Sequence, residues 1–126
     1  QMIKNKNGGS IINITSLAAV LASTNNPAYG AAKGGLKQLS KALAADWAKY
    51  KIRVNNLAPG YFNTEFNKKS WKNPELRKIR SQRSLLNRWG EPHEIIGPAI
   101  FLASDASSFM TGQDLYIDGG FLAKSL

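Results

Sequence analysis

Three polar side chains between Ser16 and Lys33 can do chemistry together, namely those of Ser16, Tyr29 and Lys33. Tyr29 and Lys33 are four residues apart, so in a helix that begins at Pro27 both side chains project from one face, one turn apart. A phenol normally ionises near pH ~10, and an ammonium group one turn away favours its phenolate form. The spacing therefore predicts a tyrosine that exchanges protons with a substrate near neutral pH.

Ser16 follows the apolar run from Ser10 to Thr15, which predicts a short strand. Open α/β sheets bind their ligands at the carboxyl ends of parallel strands, and a hydroxyl at this position would face such a ligand. A strand-end serine and a helical Tyr-x-x-x-Lys together predict a hydroxyl that polarises a carbonyl beside a tyrosine that protonates it.

The elements that must position these residues form one continuous series without repeats. A long helix from Pro27 to about Tyr50 follows the first strand, and a second strand runs from Ile52 to Leu57. A strand, helix and strand in this order predict a right-handed crossover and parallel pairing. A helix from Pro92 to Ala103 and a third strand from Leu115 to Ile117 complete the series. The predicted fold class is α/β, the C-terminal half of a doubly wound Rossmann-type parallel sheet with three strands and crossover helices.

Three expectations about packing follow from the same patterns. The strand from Ser10 to Thr15 is apolar enough to be buried on both faces. The long helix is expected to pack through a stripe of large side chains spaced three or four residues apart, and Gly97-Pro98 is expected to kink the helix after Pro92. The members of the stripe are Leu36, Leu39, Leu43 and Trp47.

Over nearly its whole length the chain resembles the short-chain dehydrogenase/reductase family. Four motifs in order carry the resemblance: Asn13-Ile-Thr-Ser16, Tyr29-Gly-Ala-Ala-Lys33, Arg53-Val-Asn-Asn-Leu-Ala-Pro59-Gly60 with Thr64, and Asp118-Gly-Gly120. Taken separately, each residue reads as an ordinary structural one, and Pro59-Gly60 as a simple turn. The order and separation of the motifs favour the functional interpretation.

The resemblance implies catalytic roles for Ser16, Tyr29 and Lys33, with Lys33 also bonding the ribose of a nicotinamide cofactor. It implies that NAD or NADP is the cofactor and that the nicotinamide end lies against the Pro-Gly segment and the threonine after it. The expected cofactor-binding residues are Tyr29, Lys33, Pro59, Gly60, Phe62 and Thr64.

The family's glycine-rich turn, which holds the pyrophosphate on a helix N-terminus, has no counterpart in residues 1–126. The chain also begins at Gln1, so we expect it to be the C-terminal catalytic half of one domain, with the nucleotide-binding half elsewhere. Two alternatives remain open at this point. The chain works with a separate N-terminal half, or it is a remnant that folds and oligomerises without activity. In either case an exposed strand edge predicts association, with itself or with the missing half.

Residues 61–90 are polar, aromatic and basic, and Asn73-Pro74 predicts a short helix through Ser81. A long segment at the carboxyl edge of a sheet commonly carries binding function, so we expect a substrate lid here. Within the family the segments 58–66 and 88–97 are most similar to gluconate 5-dehydrogenases, which suggests a sugar-acid substrate. A 3-oxoacyl carrier protein reductase is the alternative.

The composition limits the number of domains, the compartment and the kinds of partner that the chain can have. A chain of 126 residues with 43% hydrophobic content supports a single core, and its net charge of +9 reads as a solvated surface or as attraction to anionic small molecules. The absence of cysteine fits a reducing compartment, and we expect a cytoplasmic protein. We expect no metal site, no nucleic-acid partner and no membrane association, and a small-molecule carbonyl or alcohol as substrate.

Overall fold

A computed structural model describes residues 1–124 and contains a parallel sheet of three strands in the order β1-β2-β3. The strands are β1 (Gly9–Ile14), β2 (Ile52–Pro59) and β3 (Asp114–Ile117). Strand β2 lies in the middle, with Gly9 opposite Ile52 on one side and Pro59 opposite Ile117 on the other. The predicted α/β class and the parallel pairing are confirmed.

Five α-helices and several short 3-10 segments connect and cover the strands. The α-helices are α1 (Met2–Asn5), α2 (Pro27–Trp47), α3 (Lys68–Lys72), α4 (Pro74–Gln82) and α5 (Ile96–Ala103). The 3-10 segments are Leu17–Ala19, Ala48–Tyr50, Glu65–Asn67, Pro92–Ile95 and Asp105–Ser107. No helix within residues 1–124 is both long enough and apolar enough to cross a bilayer.

Local chemistry sets both ends of helix α2. The side chain of Asn26 accepts a hydrogen bond from the Tyr29 amide, and Pro27 occupies the first turn, where a missing N–H costs nothing. At the other end the helix tightens into the 3-10 turn Ala48–Tyr50, and Lys51 turns the chain with φ 58°. The start of the helix, and with it the position of Tyr29, is therefore specified by residues directly before it.

The two faces of the sheet are covered by different helices, because successive side chains in a strand point in opposite directions. Ile52 and Val54 face helix α2 and form the core cluster with Ala44. Arg53 lies between them in sequence and faces α5, where its guanidinium donates to the carbonyls of Leu102 and Ser104 at 3.1 Å each. A cation at the carboxyl end of a helix satisfies carbonyls that the helix cannot.

For the residues described, one packing expectation is wrong and another holds only in part. Strand β1 is partly exposed rather than buried, and the Ile14 side chain retains 51% of its accessible surface, because β1 pairs with β2 alone within residues 1–124. In helix α2, Leu39 is 51% exposed and the neighbouring Ser40 is fully buried. Leu43 and Trp47 of the predicted stripe do pack against the core, so the prediction fails at Leu39, whose place on the buried face is taken by Ser40 beside Ala44.

In place of the kink expected at Gly97-Pro98, the structure shows a change from a 3-10 helix to an α-helix, which begins one residue before Gly97. Pro92–Ile95 form a 3-10 turn and Ile96 begins the α-helix, so Pro98 falls in the first turn, where its missing amide hydrogen disturbs little.

An ion pair fastens the segment that leads into this 3-10 turn. The Arg88 guanidinium donates two hydrogen bonds of 2.7 Å to the Glu94 carboxylate, and the Glu91 amide donates a third. These contacts, the pair with Arg88 first, lower the pKa of Glu94 from its ordinary 4.5 to about 2.

The core makes a sharp prediction for helix α5. Leu102 is fully buried, whereas Ile100 on the same helix is 62% exposed. We expect Leu102→Ala to lower the free energy of unfolding by about 2–5 kcal/mol through lost burial and the cavity left behind. Ile100→Ala, the matched control, should change it far less. Urea unfolding of both variants checks this, and equal losses would show that α5 does not pack as described.

The pKa of Glu94 predicts a pH dependence. A carboxyl whose folded pKa is depressed stabilises the fold above its unfolded pKa, and this contribution disappears as pH falls through the folded pKa. The Arg88–Glu94 contribution should thus be complete above about pH 5 and be lost between about pH 4.5 and 2. An NMR titration of the Glu94 carboxyl should show a midpoint near 2. Glu94→Gln should flatten the acid slope of stability, whereas Glu75→Gln should keep it.

Candidate active site

Lys33 joins helix α2 to the end of strand β1. Its ammonium nitrogen Nζ donates to the carbonyl oxygen of Ile14 at 2.8 Å, two residues before Ser16. The same nitrogen lies 5.8 Å from the ring centroid of Tyr29, one helical turn earlier. The predicted pair of tyrosine and lysine therefore shares one helix face, and that face meets the strand end from which Ser16 projects.

Ser16 is held by the turn that follows β1. It caps the 3-10 segment Leu17–Ala19, which packs against α2, and its Oγ accepts a hydrogen bond of 3.2 Å from the Ala18 amide. A hydroxyl that accepts from a backbone amide still has its own hydrogen available. Among residues 1–124, no acceptor takes that hydrogen.

The other two candidate residues also have unused hydrogen-bonding capacity. The Tyr29 hydroxyl has no hydrogen-bond partner in the described part of the chain, and Lys33 spends one of its three N–H groups on Ile14. The site therefore offers a serine donor, a phenol and two ammonium hydrogens at the carboxyl edge of the sheet. Such a set can donate hydrogen bonds to several oxygen atoms of one ligand.

The loop after β2 holds the other expected cofactor residues. The Gly60 amide donates to the Ile117 carbonyl at 2.9 Å, and a Cβ on Gly60 would lie only 2.9 Å from the Asp118 Cα. Close contact between two strand ends thus explains this glycine without a ligand. Pro59 closes β2 opposite Ile117, and its role toward a cofactor stays a prediction.

Phe62 and Thr64 differ in what they leave exposed. The Phe62 ring is buried against Gly90. The Phe62 backbone carbonyl accepts a hydrogen bond of 3.0 Å from the side-chain amide of Asn67. Only the Phe62 backbone N–H remains for a ligand, because no carbonyl of residues 1–124 accepts from it. Thr64 is partly exposed, and its hydroxyl makes no hydrogen bond within the same residues. The structure therefore supplies one amide and one hydroxyl as donors in this loop.

Phe66 is a neighbour of Tyr29 that the sequence did not single out. Its ring centroid lies 6.3 Å from that of Tyr29, and its side chain is 81% exposed. It belongs to the 3-10 turn Glu65–Asn67, at the start of the segment expected to form a lid. The signal in the sequence is a large aromatic residue two positions after Thr64.

Arginine and aromatic side chains stack along the rest of that segment. The Arg77 guanidinium lies 5.2 Å from the Trp71 ring, Arg80 lies 4.6 Å from Tyr61, and Arg83 lies 4.7 Å from Phe121. Trp89, which is buried, contacts both Tyr61 and Trp71 with ring centroids 5.3 Å apart. These contacts fix helix α4 over the turn after β3, so the segment is an ordered structure.

Two hollows lie in this segment, and neither is lined by Ser16, Tyr29 or Lys33. A cavity of about 100 Å³ lies among Phe62, Arg80 and Phe121, and an open groove of about 490 Å³ runs past Trp71 and Arg77. The three candidate catalytic side chains therefore lie apart from both of these hollows.

The contact between Gly90 and Phe62 gives a testable prediction for the loop. A Cβ on Gly90 would lie 2.5 Å from the Phe62 ring, whereas a Cβ on Gly97 would meet nothing within 4 Å. We expect Gly90→Ala to cost about 1–3 kcal/mol of folding free energy through overpacking. Gly97→Ala, in a helix, should be neutral or stabilising by up to about 1 kcal/mol. Denaturant unfolding distinguishes them, and equal effects would contradict the packing of Phe62.

Comparison with known proteins places this geometry in a family. Residues 1–122 match a family model described as enoyl-(acyl carrier protein) reductase. The chain is 42% identical over 124 residues to L-rhamnose-1-dehydrogenase of Scheffersomyces stipitis, covering 98% of this chain and 48% of that protein. It is 42% identical over 112 residues to gluconate 5-dehydrogenase of Gluconobacter oxydans, covering 89% of this chain and 44% of that protein.

A solved structure matches equally well. The gluconate 5-dehydrogenase of Burkholderia cenocepacia, in complex with NADP and tartrate, superposes with a TM-score of 0.95 at 43% identity, covering 98% of this chain and 48% of that one. The chain thus spans about half the length of the relatives that it matches. The sheet, the order of the motifs and the matched residues establish that this chain belongs to the short-chain dehydrogenase/reductase family.

Proposed function

We propose that this chain supplies the acid/base half of an NAD(P)-dependent oxidoreductase, with Ser16, Tyr29 and Lys33 as catalytic residues. The reaction is the reversible interconversion of a carbonyl and a secondary alcohol. The observation that supports the proposal best is the unused hydrogen-bonding capacity of these three side chains at one edge of the sheet. The absence of cysteine also supports a cytoplasmic location.

Each residue has a role that its contacts allow. The Ser16 hydroxyl, anchored by the Ala18 amide, donates its free hydrogen to the carbonyl oxygen of the substrate. Tyr29 passes a proton to that oxygen in reduction and takes it back in oxidation. Lys33 places its positive charge 5.8 Å from the centroid of the Tyr29 ring and directs its remaining hydrogens to the ribose hydroxyls. The nicotinamide, when bound, supplies or accepts the hydride.

The loop after β2 would hold the nicotinamide end of the cofactor. The Phe62 amide and the Thr64 hydroxyl are its open donors, and Pro59 and Gly60 set the direction in which the loop leaves the sheet. Because the Phe62 ring is buried, we assign its cofactor contact to the backbone. The NADP named for the Burkholderia relative is consistent with a nicotinamide cofactor for this chain.

A sugar acid is the proposed substrate, and residues 61–90 are the proposed lid. The contact of Phe66 with Tyr29 supports the lid, because it brings the start of this segment close to a proposed catalytic residue. Two of its cations are occupied, Lys68 by Glu65 and Arg88 by Glu94, and the remaining positive charges favour a carboxylate. Relatives named as gluconate 5-dehydrogenases support this choice over a 3-oxoacyl carrier protein reductase.

A second segment or chain would complete the enzyme. Within residues 1–124, β1 pairs on one side only and leaves Ile14 exposed at the edge. We propose that a nucleotide-binding half pairs with this edge and brings the phosphate-binding turn that these residues lack. The alternative is a remnant that self-associates through the same edge and binds no dinucleotide.

Intact mass measurement and tryptophan fluorescence separate these alternatives. We expect the purified sample, under denaturing conditions, to contain either a longer chain or a second chain of comparable mass, and to bind NADH or NADPH saturably under native conditions. A single 13.8 kDa species without cofactor binding would favour the remnant. Turnover of keto sugar acids but not 3-oxoacyl thioesters would support the proposed substrate class, and the reverse would overturn it.

Tyr29→Phe in the cofactor-binding protein tests the acid/base role. Loss of the phenolic proton should lower kcat by roughly 10²- to 10⁴-fold while the affinity for NAD(P)H changes little. Tyr50→Phe removes a hydroxyl from an exposed tyrosine at the far end of the same helical region and serves as the matched control. Undiminished kcat in Tyr29→Phe would overturn the assignment.

A further inference from the structure

A row of polar side chains crosses the sheet beneath helix α2. Asn13 of β1 is the register partner of Asn56 in β2, and Asn56 is the register partner of Asp114 in β3. Register partners in neighbouring strands point to the same face, so all three side chains are directed toward α2. A sheet face covered by a helix is ordinarily apolar. Earlier in β2, on the same face, Ile52 and Val54 follow this rule.

Helix α2 supplies hydrogen-bond partners for this row. Ser40 Oγ accepts from the Asn13 side chain at 2.8 Å and lies 2.6 Å from the Asn56 side-chain oxygen. The Asn56 side-chain nitrogen donates to Asp114 at 2.8 Å, and Lys37 Nζ lies 3.1 Å from the other Asp114 oxygen. Ser40 and Asn56 are fully buried. Polar contacts therefore link β1, helix α2, β2 and β3 in a continuous series.

Lys37 ends the row at the surface. Besides Asp114, its ammonium donates to the Tyr116 hydroxyl at 3.2 Å. Burial by itself lowers the pKa of Lys37, but the hydrogen bonds that its ammonium donates to Asp114 and Tyr116 outweigh this effect and raise the pKa above its usual value. Two ammonium groups four residues apart on a helix repel each other, and Asp114 offsets that repulsion between Lys37 and Lys33.

The helix face that meets the row is the face that carries the catalytic pair. Tyr29, Lys33, Lys37 and Ser40 follow one another at spacings of four, four and three residues. Burial is not directional, so apolar contacts restrict the rotation and axial position of a helix on a sheet less sharply than hydrogen bonds do. Hydrogen bonds of 2.6–2.8 Å do fix both, since a displacement of about 1 Å breaks them.

We infer that Asn13, Ser40, Asn56, Asp114 and Lys37 form a positioning network that sets the rotation and axial level of Tyr29 and Lys33 relative to Ser16. This inference rests on the proposed function for its effect on rate, but not for its effect on geometry. A misplacement of about 1 Å at the reacting atoms can cost roughly 100-fold in rate. A network remote from the substrate can therefore govern kcat without contacting the substrate.

Ser40→Ala and Asp114→Ala test the network from its buried and its exposed end. Leu39→Ala, at the exposed neighbouring position, and Asp105→Ala, at an aspartate in the 3-10 turn Asp105–Ser107, are the matched controls. The first readout needs no activity. Acylation of individual lysines by acetic anhydride, quantified by mass spectrometry, reports how firmly Lys33 is held, with Lys49 as internal reference.

We expect both test variants to raise the acylation rate of Lys33 severalfold relative to Lys49, with no change in the controls. In the cofactor-binding protein, kcat should fall roughly 10- to 100-fold while KM changes by less than about twofold. A general loss of structure would instead raise the labelling of Lys33 together with a loss of the native circular-dichroism signal, since Lys49 is already exposed in the folded chain. That result would reduce the network to a structural role and overturn the inference.

The outcomes remain decisive if a variant fails. If Ser40→Ala does not fold, Asp114→Ala decides, because Asp114 lies at the partly exposed end of the row. Wild-type Lys33 labelling in a folded Asp114→Ala variant would overturn the inference. If the wild-type protein shows no turnover with any carbonyl substrate, the proposed function fails, and the labelling still tests the positioning network.

Discussion

The hydrogen bond from the Lys33 ammonium to the Ile14 carbonyl is the contact on which the candidate site depends. It ties the helix that carries Tyr29 to the strand end that presents Ser16. A lysine that donates to a main-chain carbonyl uses one of its three N–H donors and keeps its charge. It can therefore anchor the helix and still interact with a ligand. One side chain thus ties the helix to the strand end and also carries the positive charge of the site.

Helix α2 divides its sheet-facing side between two kinds of contact. Toward its carboxyl end, Ala44 packs with Ile52 and Val54, and this burial supplies much of the local stability. On the amino-terminal side of Ala44, Ser40 and Lys37 face the sheet, and their polar contacts with Asn56 and Asp114 replace apolar packing. The stable end and the chemically active end of one helix are therefore held by different physical means. Within residues 1–124, every buried polar side-chain atom in this arrangement has a partner, as burial requires.

The sequence predicted those features that depend on neighbouring residues. The start of α2 follows from Asn26-Pro27, helix α4 begins at the predicted Asn73-Pro74, and the three strands follow from their apolar patterns. The sequence did not predict the features that depend on residues far apart in the chain. Ser40 reads as a polar surface position because its partner Asn56 is 16 residues away and in another element. Phe66 was missed as a neighbour of Tyr29 for the same reason. The catalytic roles rest on motif order and family, since geometry gives available donors but not the reaction.

Strand β1 offers a row of backbone N–H and C=O groups along its outer side, where residues 1–124 provide no pairing strand. A segment that pairs there binds the folded state and not the unfolded chain, so by mass action it shifts the unfolding equilibrium by an amount that grows with the logarithm of its concentration. If the proposed nucleotide-binding half pairs with this edge, the melting temperature of the chain will rise with the concentration of that partner.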